Sequence, residues 1–317
     1  MNANLDRFMP PRGMANPHMQ TIISSVARRL LPPQAHRAFD SAAQREVCEI
    51  NGVRLAVDLN IAQGRPLVVI IPGWLGSTQS SYVRSAGSAL TQAGYAIARL
   101  NLRDHGDTAH LNQGLFNSAM IEEVVALVRH LVERFGTQGA SLLGYSLGGN
   151  FALRIARAMP ELPTLAVAPA ISPATTMYRI DRNLLYQRYF VRKWRKVWQQ
   201  KQAAFPDLYD FGDALKLNSV SALTDYFVRY HSPFSSTQAY FAEYDLSDTA
   251  LNGVDAHILA ANDDPIIPTE QYAGLPRSVT IDLTDHGGHG AYVDSWALTS
   301  WADKYAERHF ESHQHSR

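Results

Sequence analysis

Ser141-Leu142-Leu143-Gly144-Tyr145-Ser146-Leu147-Gly148-Gly149-Asn150 changes its period in the middle. The apolar residues before Gly144 continue a short strand from Ala140 to Leu143. From Leu147 to Ala158 the spacing of apolar positions predicts a helix. Ser146 sits at the junction, with a glycine two residues before it and another two residues after it. A serine between strand and helix needs a tight, strained turn, and small flanking residues let the backbone make it. The turn lifts the hydroxyl above the sheet edge and points the N–H of Leu147 into the same space, at a helix N-terminus. Alone, a G-x-S-x-G match is weak, and a glycine-rich surface turn is the plain alternative. The strand before it and the helix after it carry the stronger reading.

Working outward, Glu46 to Ile50 and Arg54 to Ile61 alternate like half-buried strands joined by Asn51-Gly52, a hairpin turn. Leu67 to Ile71 is continuously apolar, as expected of a strand covered on both faces. Tyr82 to Ala93 reads as helix ended by Gly94, and Tyr95 to Leu100 as strand. Ser118 to Phe135 reads as an amphipathic helix with Ser118 as its N-cap. Thr164 to Ala168, Ala256 to Ala260 and Val279 to Leu283 read as further strands, and Tyr292 to Phe310 as a closing helix. This alternation predicts an α/β fold, a mostly parallel sheet with an N-terminal antiparallel hairpin and helices on both faces. Residues 41–171 and 251–317 form the expected core. Residues 1–40, rich in proline, read as an irregular arm packed on it, and residues 172–250, helical and aromatic, as a cap insertion.

The chain has 317 residues, with 29 Lys+Arg against 29 Asp+Glu. That balance argues against a nucleic-acid partner, which calls for a basic excess. One cysteine, Cys48, excludes a disulfide framework and a cysteine-rich zinc module. Neither a signal-peptide run nor a membrane-spanning run is present, so the expectation is a cytoplasmic protein, with room for a peripheral membrane contact and no obligate protein partner.

A serine hydroxyl becomes a nucleophile when a base takes its proton. The chain supplies His289 in Asp285-His286-Gly287-Gly288-His289-Gly290, following a strand. His286 reads as structural, donating to backbone. The orienting acid falls in Asn262-Asp263-Asp264-Pro265, where Asp264 is preferred because it directly precedes Pro265 and Asp263 is the alternative. For the oxyanion, Pro72-Gly73-Trp74-Leu75-Gly76 offers the N–H of Trp74 to pair with that of Leu147. Arg103 and Asp104, after the strand ending at Leu100, read as scaffold paired to neighbouring loops. A metal held by His286 and His289 with His105 and His110 is rejected, because no ligand spacing supports it. In the insertion, Tyr178, Tyr186, Tyr189, Phe190, Trp194 and Trp198 are candidates to wall an apolar pocket or to pack the cap. Arg192, Lys193, Arg195, Lys196 and Lys201 make it locally basic.

With these pieces placed, nearly the whole chain resembles the α/β-hydrolase superfamily, and more narrowly the YheT-like group (AB hydrolase 4 family). Asn16-Pro17-His18-Met19-Gln20-Thr21 resembles that group's N-terminal signature, Gly144 to Asn150 its elbow, and Asp263-Asp264-Pro265 and His286-Gly287-Gly288-His289 its acid and histidine motifs. Pro72-Gly73 stands where the group usually has His-Gly, and Asn101-Leu102-Arg103-Asp104-His105 where it has N-x-R-G-C. The resemblance implies Ser146 as nucleophile, Asp264 as acid and His289 as base, without cofactor or metal. It implies a serine esterase acting on carboxylic esters (EC 3.1.1) of small-molecule substrates, with an apolar acyl chain such as an acylglycerol or phospholipid carries. Acyl transfer by the same triad, or a non-catalytic lipid- or partner-binding protein on the same fold, are the alternatives.

Overall fold

A computed structural model of the chain describes residues 7–22 and 34–314. Strands β1 (Gln44–Ile50) and β2 (Val53–Asn60) form the expected hairpin. Asn51 and Gly52 both take positive φ, 52° and 77°, the twist that suits a two-residue turn between right-twisted strands. The remaining strands are β3 (Leu67–Ile71), β4 (Ala96–Leu100), β5 (Ala140–Tyr145), β6 (Thr164–Val167), β7 (Ala256–Ala261) and β8 (Val279–Thr284). They form one sheet in the order β1-β2-β4-β3-β5-β6-β7-β8, antiparallel through β4 and parallel from β4 to β8. The expected sheet class is therefore observed.

Helices cover both faces: α1 (17–22), α2 (Gln34–Ser41), α3 (Ser81–Gln92), α4 (Ile121–Phe135), α5 (Leu147–Ala158), α6 (Pro173–Arg182), α7 (Leu184–Ala204), α8 (Val220–His231), α9 (Thr237–Ala242) and α10 (Trp301–Gln314). In β3 every residue is buried because alternate side chains meet opposite layers. Leu67, Val69 and Ile71 pack with Val124 and Leu127 of α4 and Phe151 and Ile155 of α5. Val68 and Ile70 pack with Val83 and Leu90 of α3 and Tyr305 and Phe310 of α10. Each such aliphatic side chain contributes about 1.5–3 kcal/mol by leaving water.

Three elements differ from the sequence reading. Helix α4 begins at Ile121 with Met120 at its N-cap, so Ser118 does not cap it. Ser118 is buried, its N–H donating to the Tyr240 hydroxyl (2.9 Å) and its carbonyl accepting from Arg154 (2.7 Å). The closing helix begins at Trp301 rather than Tyr292, because the Gln20 side chain takes both the N–H and the carbonyl of Val293 (2.8 and 3.2 Å). The first 40 residues are not irregular throughout, since α1 and all but the last residue of α2 lie within them. Of that arm, residues 1–6 and 23–33 lie outside the described residues.

Helices α6 to α9 stand between β6 and β7, and a buried cation is among the contacts that tie them to the core. Lys201 of α7 and Asp104 of the β4–α4 loop are 0% and 1% exposed and meet at 2.8 Å. Lys201 Nζ also donates to the carbonyls of Asn112 (2.5 Å) and Gly114 (3.0 Å), and the other Asp104 oxygen accepts from the Phe116 N–H (2.8 Å). Arg103 pairs with Glu123 of α4 (2.6 Å). Both loop charges thus find partners on helices, not on neighbouring loops as expected. Lys201→Ala strands a buried carboxylate and is expected to cost about 3–5 kcal/mol, read from the urea midpoint. Adding Asp104→Asn, which removes the charge but keeps an acceptor for Phe116, is expected to recover part of that loss.

Candidate active site

The turn after β5 places Ser146 at φ 53°, ψ −117°, a region that non-glycine residues rarely occupy and that costs about 1–3 kcal/mol. The surroundings hold it there. Its N–H donates to the Val167 carbonyl (2.9 Å), and its own carbonyl accepts from Asn150 (3.0 Å). The flanking glycines are required by space: a Cβ on Gly144 would lie 2.2 Å from the Gly148 oxygen, and one on Gly148 would lie 2.2 Å from the Ile71 oxygen. The start of α5 therefore rests directly on the end of β3, and the loop leaving β3 comes with it. A Cβ on Gly73 would be 3.2 Å from Ser146 Cβ.

That loop, 72–76, includes Trp74 directly after Gly73. The Gly73 N–H is already taken by the Tyr82 hydroxyl (2.9 Å), whose phenol burial pushes up to about 12. From above, Lys193 of α7 donates to the Leu75 carbonyl (2.8 Å), and the Trp74 ring stacks on Phe190 (5.4 Å) and meets Trp194 edge-on (4.9 Å). Leu147 opens α5, so its N–H belongs to the helix turn that lacks intrahelical acceptors.

The two aspartates after β7 separate cleanly. Asp264 Oδ2 meets His289 Nδ1 at 2.8 Å, while Asp264 Oδ1 accepts the N–H groups of Ile266 (2.7 Å) and Ile267 (2.9 Å). The carboxylate is 2% exposed and the imidazole 14%. Asp263 instead faces His286 Nδ1 (3.3 Å) and accepts the Gly288 N–H (2.9 Å). The His286 ring therefore meets this carboxylate, where donation to backbone was the expectation. Ser146 and His289 share no direct hydrogen bond; backbone packing brings their segments together. A Cβ on Gly290 would lie 3.8 Å from Tyr145 Cδ1 and 4.0 Å from Ala168 Cβ, beside the elbow. Among the described residues no His, Cys, Asp and Glu group is arranged to hold a metal.

Residues that the sequence reading used only as a family signature prove to support His289. The Thr21 hydroxyl accepts the His289 N–H (3.0 Å) and donates to the Pro17 carbonyl (2.8 Å). Gly288 takes φ 57° under α1, where a Cβ would lie 2.8 Å from both Thr21 Oγ1 and the Pro17 oxygen. Tyr186 of α7 reaches the same group, its hydroxyl 2.9 Å from His18 Nδ1 and its phenol raised to about 12 by burial. Beside this knot lies a cavity of about 490 Å³ lined by His18, Tyr178, Arg179, Arg182, Asp263 and Pro265. Of the aromatics between residues 172 and 250 only Tyr178 lines it. Trp198 packs on Phe211 (4.8 Å), and Trp74 takes up Phe190 and Trp194.

A buried imidazole lies in the loop between β4 and α4. His105 Nδ1 is 2.8 Å from the Arg103 carbonyl, its ring meets Phe116 edge-on, and burial lowers it to about 4. A Cβ on the next residue, Gly106, would be 3.2 Å from Ser77 Cβ, so this loop backs the one that carries Trp74.

Comparison with known proteins follows the same lines. The profile described as "Alpha/beta hydrolase family" matches residues 68–307. The chain is 27% identical over 311 residues to "Putative esterase YheT" of Escherichia coli (strain K12), covering 92% of this chain and 88% of that one. It is 20% identical over 245 residues to "Phospholipase ABHD3" of Mus musculus, covering 74% of this chain and 60% of that one. The solved esterase of Pyrococcus furiosus superposes with a TM-score of 0.58 at 14% identity, over 87% of this chain and 92% of that chain, a likeness of fold.

Two outcomes are expected. Thr21→Val leaves the His289 N–H without its acceptor and should lower the unfolding free energy by about 1–3 kcal/mol, with Thr21→Ser restoring it. His105 ionises near 4 when folded and near 6.5 when unfolded, so the unfolded chain binds the proton first as pH falls. Its contribution is complete above about pH 6.5 and is lost between about 6.5 and 4, by up to about 3 kcal/mol. His309, lowered to about 3 by burial, adds to the same slope. Urea titrations across this range should show the decline, with a shallower slope in His105→Gln.

Proposed function

The chain belongs to the alpha/beta hydrolase family, and on that premise we propose that it is a serine esterase that cleaves carboxylic esters through an acyl-enzyme. Ser146 Oγ attacks the ester carbonyl and its proton passes to His289 Nε2. Asp264 holds the imidazole by Nδ1 and stabilises the imidazolium. The N–H groups of Trp74 and Leu147 receive the oxyanion. The tetrahedral intermediate collapses, His289 returns the proton to the departing alcohol oxygen, and the acyl group stays on Ser146. Water then attacks the acyl carbonyl and gives its proton to His289; as the second tetrahedral intermediate collapses, His289 passes that proton to the departing Ser146 Oγ, releasing the acid and the free serine.

The observation that carries this reading is the 2.8 Å contact between Asp264 and His289, made on a loop that packs against the elbow of Ser146. A buried carboxylate bonded to the nitrogen that would otherwise have either tautomer leaves Nε2 as the base. The strained serine supports it, since a surface turn has no use for such a conformation. The names of the relatives, an esterase and a phospholipase, favour an ester of a fatty acid. Trp74, Phe190 and Trp194 pack on one another over the loop after β3 yet stay only partly buried, and this remaining apolar surface supports a medium or long acyl chain.

A fluorophosphonate probe is expected to label the folded protein at Ser146. Turnover of p-nitrophenyl esters of graded chain length should rise from acetate to the medium chains. Ser146→Ala should remove both labelling and turnover, by about 10⁴-fold or more, and Asp264→Asn should lower kcat by about 10⁴-fold with labelling slowed in parallel. Unlabelled folded protein, or turnover that survives Ser146→Ala, would sink the reading.

A further inference from the structure

Helix α7 has two unlike faces. Tyr186, Val191, Trp198 and Lys201 are buried against the body. Leu184, Leu185, Arg188, Tyr189, Arg192 and Lys196 are exposed, a spacing that runs as one stripe along the helix. At its N-terminal end the stripe is apolar: Leu184, Leu185 and Tyr189 are 56%, 51% and 37% exposed. Tyr178 on the neighbouring α6 is 57% exposed, with Arg182 over its ring at 5.4 Å. Four large apolar side chains therefore face water at one corner, where scattered single ones would need no explanation.

Charge at this corner departs from that of the chain. Residues 173–200 contain Arg179, Arg182, Arg188, Arg192, Lys193, Arg195 and Lys196 against one acid, Asp181, a net of six positive charges in a protein whose total is zero. Asp181 is engaged in capping α8, accepting the N–H groups of Val220 (2.7 Å) and Ser221 (2.8 Å). Lys193 and Arg195 are committed to the carbonyls of Leu75 and Leu217. Arg188, Arg192 and Lys196 follow one another at four-residue intervals on the exposed stripe.

We infer that the α6–α7 corner seats the protein on an anionic lipid surface. Tyr178, Leu184, Leu185 and Tyr189 enter the headgroup layer while Arg188, Arg192 and Lys196 face its phosphates. The pairing of apolar tip and basic stripe selects lipid over nucleic acid, since a phosphate backbone offers the aliphatic side chains nothing to enter. Asn183, which lines the 490 Å³ cavity with Tyr178, Arg179 and Arg182, directly precedes Leu184. Docking at this corner therefore brings that cavity's rim to the bilayer. The docking goes beyond ester cleavage and is independent of it, so it can be read in protein carrying Ser146→Ala.

The test is sedimentation of that protein with vesicles of phosphatidylcholine alone or of two parts phosphatidylcholine to one part phosphatidylglycerol. Binding to the anionic vesicles is expected, with little to the neutral ones, and it should vanish at about 0.5 M salt. Joint Arg188→Gln, Arg192→Gln and Lys196→Gln should weaken the partition by about a hundredfold. Leu184→Ser with Leu185→Ser should weaken it by about tenfold at unchanged salt dependence. All of these positions are exposed, and the urea midpoints should not move. Equal partition onto neutral vesicles, indifference to the triple substitution, or tighter binding to a short RNA than to anionic vesicles would overturn the inference.

Discussion

The contact of the α5 N-terminus with the last carbonyls of β3 is the constraint from which the site is built. Only hydrogen atoms fit where Gly148 meets Ile71 and Pro72. With that approach made, the serine cannot relax out of its strained backbone conformation, and the loop after β3 is drawn against it. The neighbouring parallel strands then deliver their own loops to the same end of the sheet. This end is where an α/β sheet exposes the carboxyl ends of its strands, and here it brings Asp264 and His289 to one place.

Helices α6 to α9, between β6 and β7, are joined to this end at several unlike points. Lys201 buries a charge on the β4–α4 loop, Lys193 and Phe190 hold the loop after β3, and Tyr186 reaches α1. A buried ion pair is weak evidence of net stability, because desolvation offsets the attraction. What it does supply is a unique position for α7, since each of the hydrogen bonds from Lys201 would be lost by a slip of one turn.

Much of the fold was legible because strands and helices are short-range patterns. Leu67–Ile71 is apolar at every position, and it is buried at every position. The serine turn was legible because its steric demands are written in the residues two before and two after it. The partition of Asp263 and Asp264 between two histidines was not, since neighbouring side chains on a loop can point either way until the loop is placed. Ser118 has the chemistry of a helix cap, yet its N–H and carbonyl are claimed by Tyr240 and Arg154 from distant parts of the chain. The start of α10 is not legible for a related reason: Gln20 takes the backbone groups of Val293 that a helix would need. Tertiary partners override local preference at each of these places.

The bond between the Thr21 hydroxyl and the His289 amide joins residues 268 positions apart. A contact of such span forms late, since every residue between the two partners must leave the ribosome before the segments can meet. During translation the serine turn can already be formed on β3 and β5 while the histidine loop has yet to be synthesised. Docking of the histidine loop on α1 therefore waits until residue 289 has been made, long after the strands β1 to β6 are available to pair.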